Sequence, residues 1–247
     1  MTDGEHEGAG TLYGVSVGPG DPELMTIKAM RVIREADVVA VPDAGRGYGM
    51  AQDIAGDLLT GKEVLPCPMP MTHDEAVAQA THRTVADMLC QLLDEGKNVA
   101  YLCLGDVSIY SSYGYLHKLV SERGYPTEIV PGITSVSAAA ARLGTILCEG
   151  DERLVIAPFG DNDAAKLADG RTTFAFLKPR QADGDPRAWL SEHSLLDGAQ
   201  MVTKCGHAQE QVVYDLATTN GEIGYMSVII ARTSPTTRTT SSLTSMP

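Results

Sequence analysis

The sequence predicts an α/β protein of two domains. The first would hold a mainly parallel, open five-stranded sheet, and the second a mixed sheet with antiparallel strands. Short apolar runs alternate with helix-like segments five times in the first half, which is typical of parallel strands joined through helices. The pattern loosens around 143–151, and the last strand candidates then follow one another closely, which favours hairpins. We therefore predict domains at 11–135 and 136–232.

The first domain opens with a strand at 12–17, an apolar run that ends in a loop of glycine and proline. A helix follows this loop, and Asp21 before Pro22 is a favourable start for it. The residues expected on its apolar side are Ile27, Met30, Val32, Ile33 and Ala36.

Continuous apolar runs ended by proline or glycine predict buried parallel strands in the rest of this domain. They lie at 38–41, 63–65, 99–104 and 128–130. Helical spacing predicts helices at 50–59, 74–95, from about 111 to 122, and 137–141. In the longest helix the recurring residues are Val77, Ala80, Val85, Met88, Leu89 and Leu92, and Gly96 ends it.

The second domain is expected to have five strands and two helices. The strands are predicted at 154–157, 172–177, 199–203, 211–216 and 225–231, and the helices at 161–168 and 184–195. Polar, small-residue composition predicts disordered segments at 1–10 and at 233–247, the latter rich in Ser and Thr.

Composition excludes several classes of function. The net charge of −13, from 32 acidic and 19 basic residues, disfavours nucleic-acid binding, which needs clustered Lys and Arg. The five cysteines are odd in number and contain no C-x-x-C pair, so we expect reduced thiols and no zinc site. The histidines form no metal-ligand spacing, so no metal is predicted. No apolar run is long enough to cross a bilayer, and we expect a cytoplasmic protein without a membrane partner.

Three glycine-containing loops follow strands of the predicted parallel sheet. They are Gly18–Glu23, Leu104–Tyr110 and Pro131–Ser135. Each alone is equally well explained as a turn with a helix cap, by Asp106 or Ser108 in the second loop and by Thr134 or Ser135 in the third. Together they lie at one edge of the sheet, where open α/β sheets bind ligands. The G-x-G-x-x-G and G-x-x-x-x-G-K-[ST] patterns are absent, which weighs against a nucleotide-dependent enzyme.

The first loop resembles the G-x-G-P-G-D-P-x-L-x-T loop of the tetrapyrrole (precorrin) methylases. The second is similar to the G-D-P-S-I-Y-S-T motif of the precorrin-2 carbon-20 methyltransferases within that family. Here Val107 replaces the usual Pro, Ser112 replaces Thr, and Cys103 stands where Thr is common. These differences leave the rigidity of the second loop open.

The resemblance covers about 11–232. The run 131–141 is similar to the third motif of the family, and Phe176-Leu177-Lys178-Pro179 and Gly206 with Glu210 resemble the two motifs of the second domain. The Ile-Tyr-Ser and Pro-Gly-Ile-Thr-Ser details, with Pro68-Met69-Pro70 upstream, favour the carbon-20 branch.

The resemblance implies S-adenosylmethionine, bound in the cleft between the two domains, as methyl donor, S-adenosylhomocysteine as product, and a homodimer. By motif position it implies cofactor contacts at Pro19, Leu104, Gly105, Asp106, Ile109, Thr134, Ser135, Leu177 and Gly206.

The reaction implied is methyl transfer to carbon 20 of precorrin-2 or its cobalt complex, in cobalamin biosynthesis. That carbon is already nucleophilic, so orientation would supply much of the acceleration, about 7–11 kcal/mol. Candidates for a base that removes the proton are Asp43, which is otherwise a solvated loop acid, and Tyr110, which is otherwise a packing residue. Arg46 is the candidate for binding substrate carboxylates.

Two alternatives remain open. The chain could act at another ring position or on another acceptor of the superfamily. It could also be a tetrapyrrole-binding protein without catalysis, although such a protein would not need three cofactor loops.

Overall fold

The computed structural model describes residues 6–43, 49–70, 72, 74–179 and 184–233. The chain divides into two compact units, 1–135 and 136–247. The predictions for Arg46 and for the tail after Thr233 lie outside the described residues.

The first unit is built on a parallel sheet. Its strands are β1 (Leu12–Ser16), β2 (Val38–Asp43), β3 (Glu63–Pro68), β4 (Val99–Cys103) and β5 (Thr127–Val130). They lie in the order β3-β2-β4-β1-β5, and every neighbouring pair is parallel. All of β4 is buried, as expected for a strand covered on both faces. The predicted fold class is confirmed for this unit.

Helices cover both faces of this sheet. They are α1 (Ile27–Glu35), α2 (Met50–Ala55), α3 (Glu75–Asp94) and α4 (Tyr113–Ser121). A further helix, α5 (Ser135–Leu143), begins at the last residue of the first unit. Alternate residues of β4 enter two separate apolar clusters, because successive side chains of a strand point to opposite faces. Tyr101 packs with α3 and α4, whereas Ala100 and Leu102 pack with α1 and α2.

Three apolar residues predicted for helix faces are exposed, namely Ile27, Val77 and Ala80. Ile27, the first residue of α1, is 86% exposed, and Val77, in the first turn of α3, is 48% exposed. Each helix buries its apolar side only further along, from Ala29 in α1 and from Val85 in α3. Helical spacing identifies the apolar stripe but not where along it packing begins.

The segment before β1 is held against the first unit from residue 6 onward, although disorder was expected through residue 10. The N–H of Gly10 donates to the carbonyl of Leu93 at 2.8 Å. The ring of His6 packs against Tyr125 with centroids 3.7 Å apart, and its Nε2 lies 3.0 Å from the carbonyl oxygen of Arg123. These contacts extend the ordered chain beyond what its polar composition indicates.

The second unit contains a mixed sheet. Its strands are β6 (Arg153–Pro158), β7 (Thr172–Leu177), β8 (Gln200–Thr203), β9 (Gln211–Val213) and β10 (Ser227–Arg232), and its helices α6 (Asn162–Ala165) and α7 (Pro186–Glu192). The order is β6-β7-β10-β8-β9. The β6–β7 pair is parallel, and the other pairs are antiparallel. The predicted mixed sheet is confirmed.

The strand predicted at 211–216 ends at Val213. Asp215 caps a short 3-10 turn at Leu216–Thr218, where its side chain accepts the N–H of Ala217 at 3.0 Å. In the described part of the chain, no helix combines the length and the apolar character needed to cross a membrane.

Candidate functional site

The three predicted loops follow neighbouring strands. β4, β1 and β5 are adjacent in the first sheet and parallel, so the loops after Cys103, Ser16 and Val130 leave the same edge. The structure therefore brings together the three sequence-predicted segments of the first unit.

The first and second loops are joined through their backbones. The N–H of Gly105 donates to the carbonyl of Gly18 at 2.7 Å, and the N–H of Gly18 donates back at 3.3 Å. Gly18 has φ of 79° and Gly105 of 72°, conformations that favour glycine. At Gly18 a Cβ would also lie only 3.0 Å from the carbonyl oxygen of Leu24. The backbone conformation of this pairing thus accounts for glycine at both positions.

Asp106 joins the second and third loops. Its Oδ1 accepts the N–H of Ser108 at 2.8 Å and also the Ser108 hydroxyl, and its Oδ2 accepts the N–H of Gly132 at 2.7 Å. Burial acts to raise the pKa of this carboxyl, but the hydrogen bonds outweigh it and the pKa lies below its usual range. The Asp106 carboxylate is therefore ionised, and its hydrogen bonds link the second loop to the third. It does not cap the following helix, since α4 begins at Tyr113.

Ser16 is a further member of this network that the sequence analysis did not single out. It is the last residue of β1 and is fully buried. Its Oγ donates to the carbonyl of Val130 at 2.8 Å and accepts the N–H of Val107 at 2.9 Å. A polar residue between Val15 and Val17, inside an otherwise apolar strand, was the signal that could have identified it.

The other predicted cofactor contacts of the first unit lie on the same loops. Pro19 is buried, and the remaining residues are half-buried: Leu104, Ile109, Thr134 and Ser135. Ser135 is the first residue of α5. Cofactor contact at these positions stays a prediction, but the placement at one sheet edge agrees with it.

The two predicted candidates for a base lie at this edge as well. Asp43 is the last residue of β2, is half-buried, and its carbonyl accepts the N–H of Met69 at 2.7 Å. Tyr110 is 46% exposed and has φ of 51°, a backbone conformation that is uncommon outside glycine and is often found at functional sites. Exposure of the Tyr110 side chain leaves it accessible to a ligand.

Cys103 lies at the start of the second loop but is not a candidate nucleophile. It is the last residue of β4 and is 3% exposed. Burial raises the pKa of its thiol to about 12. The thiol therefore stays protonated at neutral pH, whereas the thiolate is the nucleophilic form.

In the second unit, Leu177 and Gly206 lie toward one edge of the sheet. β7 and β8 both run antiparallel to β10 and are parallel to each other, with Leu177 paired to Val228 and Thr203 paired to Ser227. Lys178 and Lys204, the residues that follow these strand ends, both have positive φ, of 59° and 49°. The two motifs of the second domain thus follow the strands on either side of β10, at the same edge of the sheet.

Glu210 fixes the turn that contains Gly206. Its Oε2 accepts the N–H of Gly206 at 2.8 Å, and its Oε1 accepts the Nε of Arg142 at 2.5 Å. Burial acts to raise its pKa, but these bonds outweigh it and hold the pKa below the usual range. A cavity of about 450 Å³ adjoins this turn, and the residues that line it include Lys204, Glu210 and Glu222.

Among the described residues, no three His, Cys, Asp or Glu side chains lie close enough together to hold a metal ion.

Comparison with known proteins identifies the family. The model of the Tetrapyrrole (Corrin/Porphyrin) Methylases matches residues 11–219. The chain is 38% identical over 232 residues to the cobalamin biosynthesis protein CobIJ of Mycobacterium tuberculosis, covering 89% of this chain and 45% of that protein. The chain thus spans about half the length of this relative.

Two further proteins match over nearly their whole length. The cobalt-precorrin-2 C(20)-methyltransferase of Salmonella typhimurium is 32% identical over 239 residues, with 90% of this chain and 95% of that protein covered. The structure of a cobalt precorrin-4 methyltransferase superimposes with a TM-score of 0.68 at 25% identity, over 90% of this chain and 94% of that chain. On this evidence the chain belongs to the tetrapyrrole methylase family.

Proposed function

We propose that this protein is an S-adenosylmethionine-dependent methyltransferase that methylates carbon 20 of precorrin-2 or cobalt-precorrin-2. The observation that carries the proposal is the edge of the first sheet, where three hydrogen-bonded loops match the family motifs. The Salmonella typhimurium relative, named for that reaction, supports the ring position because it aligns along almost the entire chain.

The residues at this edge fit the proposed cofactor. A Cβ built on Gly105 would have one neighbour within 4 Å, the backbone nitrogen of Ser135 at 3.8 Å, so the backbone there has space beside it. The carboxylate of Asp106 accepts three hydrogen bonds and retains capacity for a ribose hydroxyl or an amine. The cofactor, when bound, supplies an electrophilic methyl group.

We assign cofactor binding to the residues that carry the family motifs. They are Pro19, Leu104, Gly105, Asp106, Ile109, Thr134, Ser135, Leu177 and Gly206. Placement of the cofactor between the two domains stays a prediction from the sequence, as do the homodimer and the cytoplasmic location.

The chain has to bind and orient an acceptor that carries carboxylates, and to accept one proton. Arg46 is proposed to bind carboxylates of the tetrapyrrole. Asp43 and Tyr110 are proposed as alternative proton acceptors, because both lie at the edge where β2 and β4 end. Orientation of the acceptor carbon is the main contribution expected of the protein.

Methylation at a different ring position is the second candidate. It is favoured by the 38% identity to CobIJ, and by the similarity in fold to a protein named cobalt precorrin-4 methyltransferase. Both candidates share the cofactor and the class of acceptor, so the loops of the first unit do not distinguish them.

The experiment that tests the proposal combines binding and transfer. Calorimetric titration should show binding of S-adenosylmethionine, and the label of a methyl-labelled cofactor should pass to precorrin-2 or to its cobalt complex. The two acceptors are assayed in parallel, because a preference would identify the natural metal state. Absence of cofactor binding by the folded protein would refute the proposal.

A further inference from the structure

The N–H of Val107 is a buried donor whose acceptor is a side chain from another strand. Val107 is 4% exposed and donates to the Oγ of Ser16 at 2.9 Å. The same hydroxyl donates its proton to the carbonyl of Val130 at 2.8 Å. One fully buried hydroxyl therefore joins the loop that follows β4 to the last residue of β5. A buried N–H without an acceptor is costly, so this bond matters to the second loop.

Val107 occupies a position in its loop that suits proline. The N–H of Ile109 donates to the carbonyl of Asp106 at 3.2 Å, so 106–109 form a four-residue turn with Val107 second. Proline is favoured at the second position of such turns because its fixed φ matches the turn. Proline also has no N–H, so it needs no acceptor there.

The two residues differ together from the motifs of the family. The loop G-x-G-P-G-D-P has glycine where this chain has Ser16, and the motif G-D-P-S-I-Y-S-T has proline where it has Val107. A glycine and a proline at these positions supply neither the hydroxyl acceptor nor the N–H donor. This chain has both.

We propose that Ser16 and Val107 are a matched pair, and that Ser16 is a positioning residue for the second loop. The hydrogen bond between them replaces the rigidity that a proline ring would give. The pairing itself does not depend on the proposed function. Only the choice of S-adenosylmethionine as the ligand of this loop rests on that proposal.

The packing of the third loop adds to the role of Ser16. A Cβ built on Gly132 would overlap the Cβ of Ser16, so the backbone of the third loop lies directly against this side chain. The N–H of Gly132 is in turn bound by Asp106. A change at Ser16 should therefore affect both loops.

A double-mutant cycle tests the pairing. Ser16→Gly leaves the Val107 N–H without its acceptor, and Val107→Pro in the presence of Ser16 places a ring carbon against the hydroxyl. Each single variant should bind S-adenosylmethionine about tenfold more weakly and melt about 5 °C lower. Ser16→Gly/Val107→Pro should recover most of both losses, because neither the orphan donor nor the overlap remains.

Thr172→Val is the matched control. Thr172 is also a buried residue, 3% exposed, and its hydroxyl donates to Asp169 at 2.9 Å. This variant should lower the melting temperature with an unchanged dissociation constant for S-adenosylmethionine. The KM for the cofactor should rise in Ser16→Gly while the KM for the tetrapyrrole stays constant.

Losses in the double variant that equal or exceed the sum of the single losses would overturn the pairing. So would a Ser16→Gly protein that binds and melts like the wild type. If the wild-type protein binds no S-adenosylmethionine, the proposed function fails, whereas the melting temperatures of the cycle still decide whether the residues are paired. If one single variant does not fold, a double variant that folds supports the pairing, and one that also fails to fold contradicts it.

Discussion

At the scale of a single residue, Asp106 links two loops and is also proposed to contact the cofactor. Sequence reasoning placed it against the cofactor, and the structure adds that it accepts hydrogen bonds from Ser108 and Gly132. We expect Asp106→Ala to weaken S-adenosylmethionine binding by at least about tenfold, since each lost charge-assisted bond contributes about 1.5–3 kcal/mol. Calorimetric titration of the folded variant measures this.

Ser108→Ala is the graded control for Asp106→Ala. It removes the hydroxyl bond and leaves the Ser108 and Gly132 N–H bonds to Asp106 in place. Its affinity for the cofactor should lie between that of the wild type and that of Asp106→Ala. An Asp106→Ala protein with wild-type affinity would remove Asp106 from the site.

The lowered pKa of Asp106 makes a prediction about pH. A carboxyl whose pKa is depressed on folding stabilises the protein above its unfolded pKa, about 3.9, and this contribution is lost as the pH falls through the folded value. Asp106→Asn should therefore melt below the wild type at pH 7, and the difference should shrink as the pH falls below about 4. Melting curves from pH 2.5 to 7 test this, and a constant difference would contradict it.

At the scale of an element, the turn after β8 depends on Glu210. Glu210→Ala removes the acceptor of the Gly206 N–H and the partner of Arg142 together. We expect a loss of about 1–2 kcal/mol in the free energy of unfolding and weaker cofactor binding. Denaturant titration and calorimetry measure the two effects.

Arg142→Met separates the two roles of Glu210. The Arg142 side chain is half exposed, and ion pairs at such sites contribute little to stability. Since Glu210 keeps its bond to Gly206 in this variant, cofactor affinity should change less than in Glu210→Ala. Equal losses in both variants would show that the ion pair, rather than the bond to the turn, matters.

The contact between β1 and α4 depends on a glycine. The ring of Tyr113 lies directly over Gly14, where a Cβ would overlap it. Gly14→Ala should reduce the free energy of unfolding by about 1–3 kcal/mol, because the Tyr113 ring cannot move aside without disturbing the core. Chemical denaturation measures the change.

Gly114→Ala is the matched control for Gly14→Ala. Gly114 lies in α4, and a Cβ built there would meet no atom within 4 Å outside the neighbouring backbone of its own helix. The Gly114→Ala protein should therefore be more stable than the wild type by about 0.4–1 kcal/mol in the free energy of unfolding. A Gly14→Ala protein as stable as the wild type would contradict the packing described for Tyr113.

The strands show what periodicity can and cannot reveal. Apolar runs predicted the strands of the parallel sheet because burial on both faces requires uninterrupted apolar residues. The role of Ser16 escaped prediction because it depends on hydrogen bonds to Val107 and Val130, which are distant in sequence. Ile27 was placed wrongly for a related reason, since its burial depends on what lies opposite the first turn of α1.

At the scale of the whole molecule, parallel strands explain why separate motifs act together. Motifs separated by tens of residues in the sequence follow β1, β4 and β5, which are neighbours in the sheet. Topology therefore predicts the shared edge, and resemblance to the family predicts the ligand. The choice of a base between Asp43 and Tyr110 does not follow from either, because it depends on where the acceptor lies.

The charge of the molecule limits how the substrate can be bound. A net charge of −13 repels an acceptor that carries carboxylates, so cationic groups must be gathered locally. We expect Arg46→Ala to raise the KM for the tetrapyrrole and to leave S-adenosylmethionine affinity unchanged. Steady-state kinetics with each substrate varied in turn measures this, and the reverse pattern would refute the role of Arg46.

The position of the transferred methyl group tests the central claim most directly. The protein is incubated with S-adenosylmethionine labelled with ¹³C in the methyl group and with precorrin-2 or its cobalt complex, and the product is examined by NMR. We predict label at carbon 20. Label at another ring carbon would contradict the assigned position, and the absence of label in any tetrapyrrole product would contradict the proposed function itself.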